Sequence, residues 1–321
     1  MAYRGAQSIV GFGAESTWNT GVSRTVWFEL VSQSMAAVQD WQERGVLYEG
    51  ASGTARATSK YNKGATYAGQ VVFQARYEGM GLIIKHALWA SATSGPSGGL
   101  YTHTYTLGSA APTGGLTMEL QRGTGSYEVY TGCRIAKMTL AVALGGVMTV
   151  TLDLIAGGRD ARTTSSPTSP ALTTNLHNVV KHNQAGTLGW NSVTSYLTGF
   201  RLELDNKLAA RPYLGSLGTL DPAVPTGTRS VMLTADNEWA ADDYDAGHQA
   251  GTESDAAITF TGASSNTLTT TVQNAFISAN SAPVSSYGIV SETSTYKGQD
   301  DGTDLGLKIQ IVNSQSTAVA A

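Results

Sequence analysis

The sequence predicts a mainly β protein made of two tandem β units, each with a short flanking helix. Three observations lead there. The stretches from Val26 to Ile155 and from Gly199 to Asn313 carry the same order of signals: strand, long Gly-rich loop, strand, helix start, closing pair of strands. Charged residues make up only 14% of the chain, against roughly 25% in an average soluble domain, and Gly is abundant with 37 residues. A length of 321 residues gives room for two units, each able to bury a core without disulfides or metals. A duplicated β unit whose surface is poor in charge points to assembly with copies of itself.

The elements follow in order. Trp27 to Ser34 opens the first copy and Phe200 to Asn206 the second, both alternating apolar and polar as half-buried strands do. Gly69 to Gly79 and Gly227 to Glu238 are each a Gly-led strand running into an acid, followed by helices expected over Met80–Trp89 and Trp239–His248. The copies close on Met138 to Leu154 and on Leu305 to Val312. In the first closing pair, Met138, Leu140, Val142 and Leu144 alternate with small or polar residues. Gly145-Gly146 then offers a two-residue turn, and Met148, Val150, Leu152 and Leu154 alternate again. That pattern predicts a hairpin with one dry face and argues against a membrane span over Ile135–Ala156, although the length would suffice. The Ser/Thr run from Thr163 to Ser169, with Pro167 and Pro170, reads as a linker, and Leu176 to His182 as a short ordered piece within it. The expected division is an arm over 1–21, a first unit over 22–160, a linker over 161–198 and a second unit over 199–321.

Residues 1–160 carry 12 basic and 10 acidic side chains, a net of +2, and the remainder 8 and 14, a net of −6. The densest acidic cluster is Asp236, Glu238, Asp242, Asp243 and Asp245, with Glu253 and Asp255 beyond it. A solvated helix start accounts for it, since acids favour the positive end of the helix dipole. Calcium is disfavoured because the Gly and distal Glu of an EF-hand loop are missing. Specific nucleic-acid binding is disfavoured too, because the 20 basic residues are scattered over a net negative chain. The first ten residues lack the basic start and apolar core of a signal peptide. The single Cys133 excludes an intrachain disulfide framework and a multi-cysteine zinc site.

No enzyme motif survives inspection, and no catalytic, cofactor or metal site is expected. Gly95-Pro96-Ser97-Gly98-Gly99 fits GxSxG in form, but a nucleophile elbow needs a helix after the serine and here a β run follows. His86 lies among Leu82, Ile83 and Leu88 as a packing histidine, His103 sits in an alternating strand, and His177 and His182 fall in or beside the linker.

The opening Gly11-Phe12-Gly13-Ala14-Glu15-Ser16-Thr17-Trp18-Asn19-Thr20-Gly21, the strand ending Ser32-Gln33-Ser34, the segment Gly69 to Leu88 and the run Tyr130-Thr131-Gly132-Cys133-Arg134-Ile135 resemble major tail tube proteins of long-tailed bacteriophages. Phe200 to Asn206, Gly227 to Leu233 and Leu307 to Asn313 extend the resemblance over nearly the whole chain. The resemblance implies β-sandwich or partly open barrel units assembled into rings that stack into a tube for double-stranded DNA, located in the virion tail after synthesis in the host cytoplasm. It also implies partners: further copies of the chain, a tape-measure protein, and tail terminator and distal tail proteins. Two units per chain favour a homotrimer with pseudo-sixfold symmetry over a homohexamer. By the same resemblance, Asp40–Ala68 and Lys207–Thr226 correspond to loops that reach a neighbouring ring, with Trp41, Tyr48, Tyr61 and Tyr67 as anchors. Asp242, Asp243 and Asp245 become candidate lumen acids. The competing class is a carbohydrate-binding β-sandwich adhesin with Trp89, Trp190 or Trp239 as sugar platforms.

Overall fold

Alternating side chains produce strands along most of the chain, and their register shows how the two halves are related. The computed structural model describes residues 8–43, 60–122, 126–160, 178–191, 193–211, 221–238, 243–282, 291–300, 302 and 306–317. The first half runs β1 (Ile9–Ala14), β2 (Val26–Gln33), β3 (Ala36–Glu43), β4 (Lys60–Gln74), α1 (Met80–Leu88), β5 (Trp89–Ser97), β6 (Leu100–Leu107), β7 (Leu116–Gln121), β8 (Tyr127–Ala143), β9 (Thr149–Ala156) and a short β10 (Gly158–Arg159). The second runs β11 (Leu188–Trp190), β12 (Val193–Ser195), β13 (Leu197–Asp205), β14 (Leu208–Arg211), β15 (Asp221–Pro225), β16 (Ser230–Glu238), α2 (Asp243–Ala250), β17 (Ser254–Thr261), β18 (Thr267–Ser281), β19 (Ser291–Lys297) and β20 (Leu307–Asn313).

In the first half six antiparallel strands close on themselves in the order β1, β2, β4, β9, β8, β7 and back to β1. Closure removes free edges. The second half repeats the neighbours: β13 pairs with β16, β16 with β19, β19 with β18, β18 with β17 and β17 with β11. Among the described residues no pairing joins β11 to β13, so this barrel stays open on one side. Val10-Gly11-Phe12 in β1 and Leu188-Gly189-Trp190 in β11 occupy matching places, with Gly11 opposite Glu119 and Gly189 opposite Ala257. Val10, Phe12, Leu188 and Trp190 are all buried. Ile9–Ala14, expected within an arm, and Leu188–Trp190, expected within a linker, are therefore strands of the two barrels.

The repeat extends to irregularities. The register against β4 shifts between Leu30 and Ser32, and the register against β16 shifts between Leu197 and Gly199. On the long bent strands the shift against β9 falls between Ile135 and Lys137, and that against β19 between Ile277 and Ala279. A second bulge puts Gly132 (φ 62°) in β8 and Asn274 (φ 46°) in β18 into the left-handed region, which Gly and Asn tolerate best. Each bulge N–H is held by a carboxylate: Gly132 N donates to Glu15 Oε1 at 2.8 Å, and Asn274 N to Asp255 Oδ1 at 3.1 Å. Glu15 also accepts from Asn19 N at 2.8 Å and Thr117 Oγ1 at 2.9 Å, which gives the Gly11–Gly21 motif a structural reason for its acid.

A contiguous core spans both halves. Phe12, Phe28 and Phe73 cluster in the first barrel, with Phe28 and Phe73 stacked at 4.4 Å, while Trp190 meets Tyr296 and Phe200 meets Phe260 edge-on in the second. Helix α1 begins at Met80 as expected, ends one residue before Trp89, and is buried almost all round. Its C-terminal carbonyls, Ala87 O and Leu88 O, accept from Arg229 Nη2, and Ala87 O also from Asn206 Nδ2, so the second half caps the helix of the first.

Several expectations change. The second helix is described over Asp243–Ala250 and runs two residues past its expected end at His248, while residues 239–242 lie outside the described residues. The Gly-Gly hairpin is not a two-residue turn: strand pairing ends at Ala141–Thr149, Gly146 N donates to Ala143 O, and Gly145 adopts φ 80°. Leu144, expected on the dry face, is consequently 71% exposed. Asp40–Ala68, expected as a loop, is entered and left by β3 and β4, which pair from Ala36–Ala68 to Glu43–Lys60.

Candidate assembly surface

Two four-stranded sets, β2/β3, β4, β9, the C-terminal part of β8, then β13, β16, β19 and the C-terminal part of β18, lie side by side as one continuous sheet. The seam between them is the β8–β13 pair, running from Gly199–Ala143 to Asp205–Lys137. One face of the sheet is apolar: Met138, Leu140, Val142, Val150, Leu152, Leu204, Leu233 and Tyr296 are buried. The opposite face is polar by strand alternation, carrying Asp153, Glu203, Asp205, Asp236 and Glu238 beside Lys137, Arg201 and Lys297. Lys137 Nζ meets Glu203 across the seam at 2.7 Å and Arg201 reaches the same carboxylate at 3.0 Å, while Lys207 Nζ lies 2.5 Å from Asp205. The basic partners and the hydrogen bonds from Lys137 and Arg201 hold the Glu203 carboxyl below its ordinary pKa despite an opposing effect of burial. Behind the seam Arg229 lies 4.0 Å over the Trp89 ring and donates to Asn206 Oδ1 and Gly108 O; burial lowers its pKa to about 10.

The sheet has two lateral edges. On one side, β1 covers β2 through Val26–Glu29, beyond which Val31 and Val38 are exposed by 56% and 64%. On the other, no described strand pairs with the outer edge of β18 beyond Phe276. Two hairpins project from matching places in the halves, β3–β4 and β14–β15.

The expected site residues distribute as follows. Trp41, 50% exposed, is opposite Asn62 in the first hairpin, Tyr61 is in β4 opposite Gln42, and Tyr67 is half-buried in β4. Tyr48 and Asp242 lie outside the described residues, as does Trp239. Asp243 and Asp245 belong to α2. Ser97 ends β5 and is followed by a turn into β6, a strand–turn–strand arrangement with no helix to make an elbow. His86 is buried in α1, and desolvation, with Arg134 and Lys85 nearby, pushes its pKa down to about 3. His103 bonds Thr93, Asn313 and the Gln315 carbonyl. Trp190 is 1% exposed and donates to Ala275 O, so it offers no sugar platform, and one face of Trp89 is taken by Arg229. The polar sheet face and the seam escaped sequence reading, because individual strands alternate without naming their neighbours.

A sheet with an apolar inner face, a polar outer face and open lateral edges describes a structural wall component. The sequence matches the phage tail tube protein family over residues 5–302, and the chain belongs to that family. No curated protein matches it.

Proposed function

We propose that the chain forms the stacked rings of a phage tail tube through which double-stranded DNA passes, with three copies and six barrel units in each ring. The observation that carries this reading is the repeat at register level: one chain already contains two similar units joined edge to edge, with an open edge at each end. The polar face lines the channel. Among its described residues acids outnumber bases, so phosphates are not gripped as they slide past. Asp242, Asp243 and Asp245 add to that lining. The β3–β4 and β14–β15 hairpins contact the next ring, with Trp41, Tyr48, Tyr61 and Tyr67 among the anchors. The tape-measure, terminator and distal tail proteins meet the tube inside and at its ends. The units divide along the barrels, so that β1 and β11 each begin one.

End-on electron cryomicroscopy of purified chains or particles, with no symmetry imposed, tests this. Threefold rings with six similar lobes are expected. True sixfold rings of chains would remove the trimer, and monomers under all conditions would remove the tube.

A further inference from the structure

We infer that successive copies in the ring join by pairing β3 of one with the end of β18 in the next, in the register of the internal β8–β13 seam: Val38 opposite Ala279, Ala37 opposite Asn280, and Ala36 opposite Ser281. This rests on the ring reading above and adds the partner strand, its direction and its register.

The shared bulges fix the alignment. Ser32 in β2 and Gly199 in β13 both follow the register shift against the next strand, which makes Ala36, Ala37 and Val38 the counterparts of Glu203, Leu204 and Asp205. The register of β2 against β4 continues unbroken into β3, since Gln33–Val71 and Ala36–Ala68 belong to one ladder. Likewise Lys137 and Ala279 both follow the shift against β9 or β19, which makes Ala279, Asn280 and Ser281 the counterparts of Lys137, Met138 and Thr139. Inside the chain Asp205, Leu204 and Glu203 stand opposite Lys137, Met138 and Thr139. Transferring that pairing gives the stated register, antiparallel like its template. Exposure agrees: Ala36, Val38, Ala279 and Ser281 are exposed, and Val38 is an apolar side chain 64% open to solvent on an edge strand.

The two kinds of seam differ in chemistry. Where the internal seam places Lys137, Glu203 and Asp205, the seam between copies places Ala279, Ala36 and Val38. The junction inside the chain is ionic, and the one between copies is uncharged.

Cysteine cross-linking tests the register. Directly opposite residues of an antiparallel pair have Cα atoms about 4.5 or 5.5 Å apart and side chains on the same face, within disulfide reach, whereas residues one position out of register send their side chains to opposite faces of the sheet and cannot be bridged. Val38 and Ala279 lie on opposite edges of the sheet, so a bond between them joins different copies. The native Cys133 is fully buried and does not compete. Oxidised tubes of the Val38→Cys/Ala279→Cys variant are expected to give covalent oligomers in denaturing gels, and those of Val38→Cys/Asn280→Cys few or none. Tubes with no cross-link in the first variant, or with equal cross-linking in both, would overturn the register while leaving the tube intact. If wild-type chains form no rings, the proposed function fails first. Should the double variant not assemble when reduced, each single variant mixed into wild-type chains replaces it, with a covalent dimer formed only when both are present as the expected product and no dimer in assembled tubes as the overturning one.

Discussion

Single residues of this chain show how a soft motif acquires a physical meaning. Glu15 accepts three hydrogen bonds and sits 5% exposed beneath the Gly132 bulge. Glu15→Ala leaves buried N–H groups without an acceptor and should cost about 3 kcal/mol in chemical denaturation; an unchanged midpoint would remove the clamp role. His86 gives a pH dependence with a definite sign. Its pKa is about 3 when folded and about 6.5 when unfolded, so the unfolded chain takes up the proton first as pH falls. The stability that the neutral imidazole contributes is complete above about pH 6.5 and is lost toward pH 3, by about 1.4 kcal/mol per pH unit. His86→Leu should flatten that part of the profile in urea melts taken across the range. Burial raises the pKa of the Cys133 thiol, so alkylating reagents should label it only after unfolding.

At the scale of elements, the junction between halves concentrates on few groups. Arg229 links α1, Trp89 and Asn206, and Arg229→Ala should destabilise the fold by about 3 kcal/mol, with Lys recovering only part because it lacks the planar fork. Removing residues 52–62, which take in the first three residues of β4, should spare folding and abolish tubes; normal tubes would move the ring-to-ring contact elsewhere. Strands with one dry face were legible from period alone, as in β9 and β20. β1 was not, because five of its six residues are buried and Ile9 to Ala14 shows no alternation. The polar β5 was hidden for the opposite reason: it is mostly exposed and reads as a Ser/Thr/Gly loop. Leu144 misled because composition marks a side chain as apolar without telling whether the chain turns there. The Gly145 and Gly146 pair correctly signalled a reversal but not its length.

For the whole molecule, order and spacing in the sequence revealed the duplication, while its origin points did not. The first strand of each barrel has a partner distant along the chain, β7 for β1 and β17 for β11, and lies in a segment that reads as an arm or a linker. Register resolves this, because bulges at Ser32 and Gly199, and at Lys137 and Ala279, mark equivalent places that share little residue identity. The same comparison separates the two seams. Raising salt should weaken contacts through Lys137 and Glu203 by screening, yet leave ring closure through Ala36, Val38 and Ala279 largely unaffected. Light scattering of tubes across a salt series checks this, and disassembly at high salt would count against an uncharged closure.

The β8–β13 seam is covalently guaranteed to meet, since both strands belong to one chain, and no dilution separates its partners. In the proposed ring only alternate joints around the wall then depend on concentration. If the ring holds three chains as proposed, a tube taken apart gently should shed staves eight strands wide rather than four, and ring growth needs three encounters instead of six.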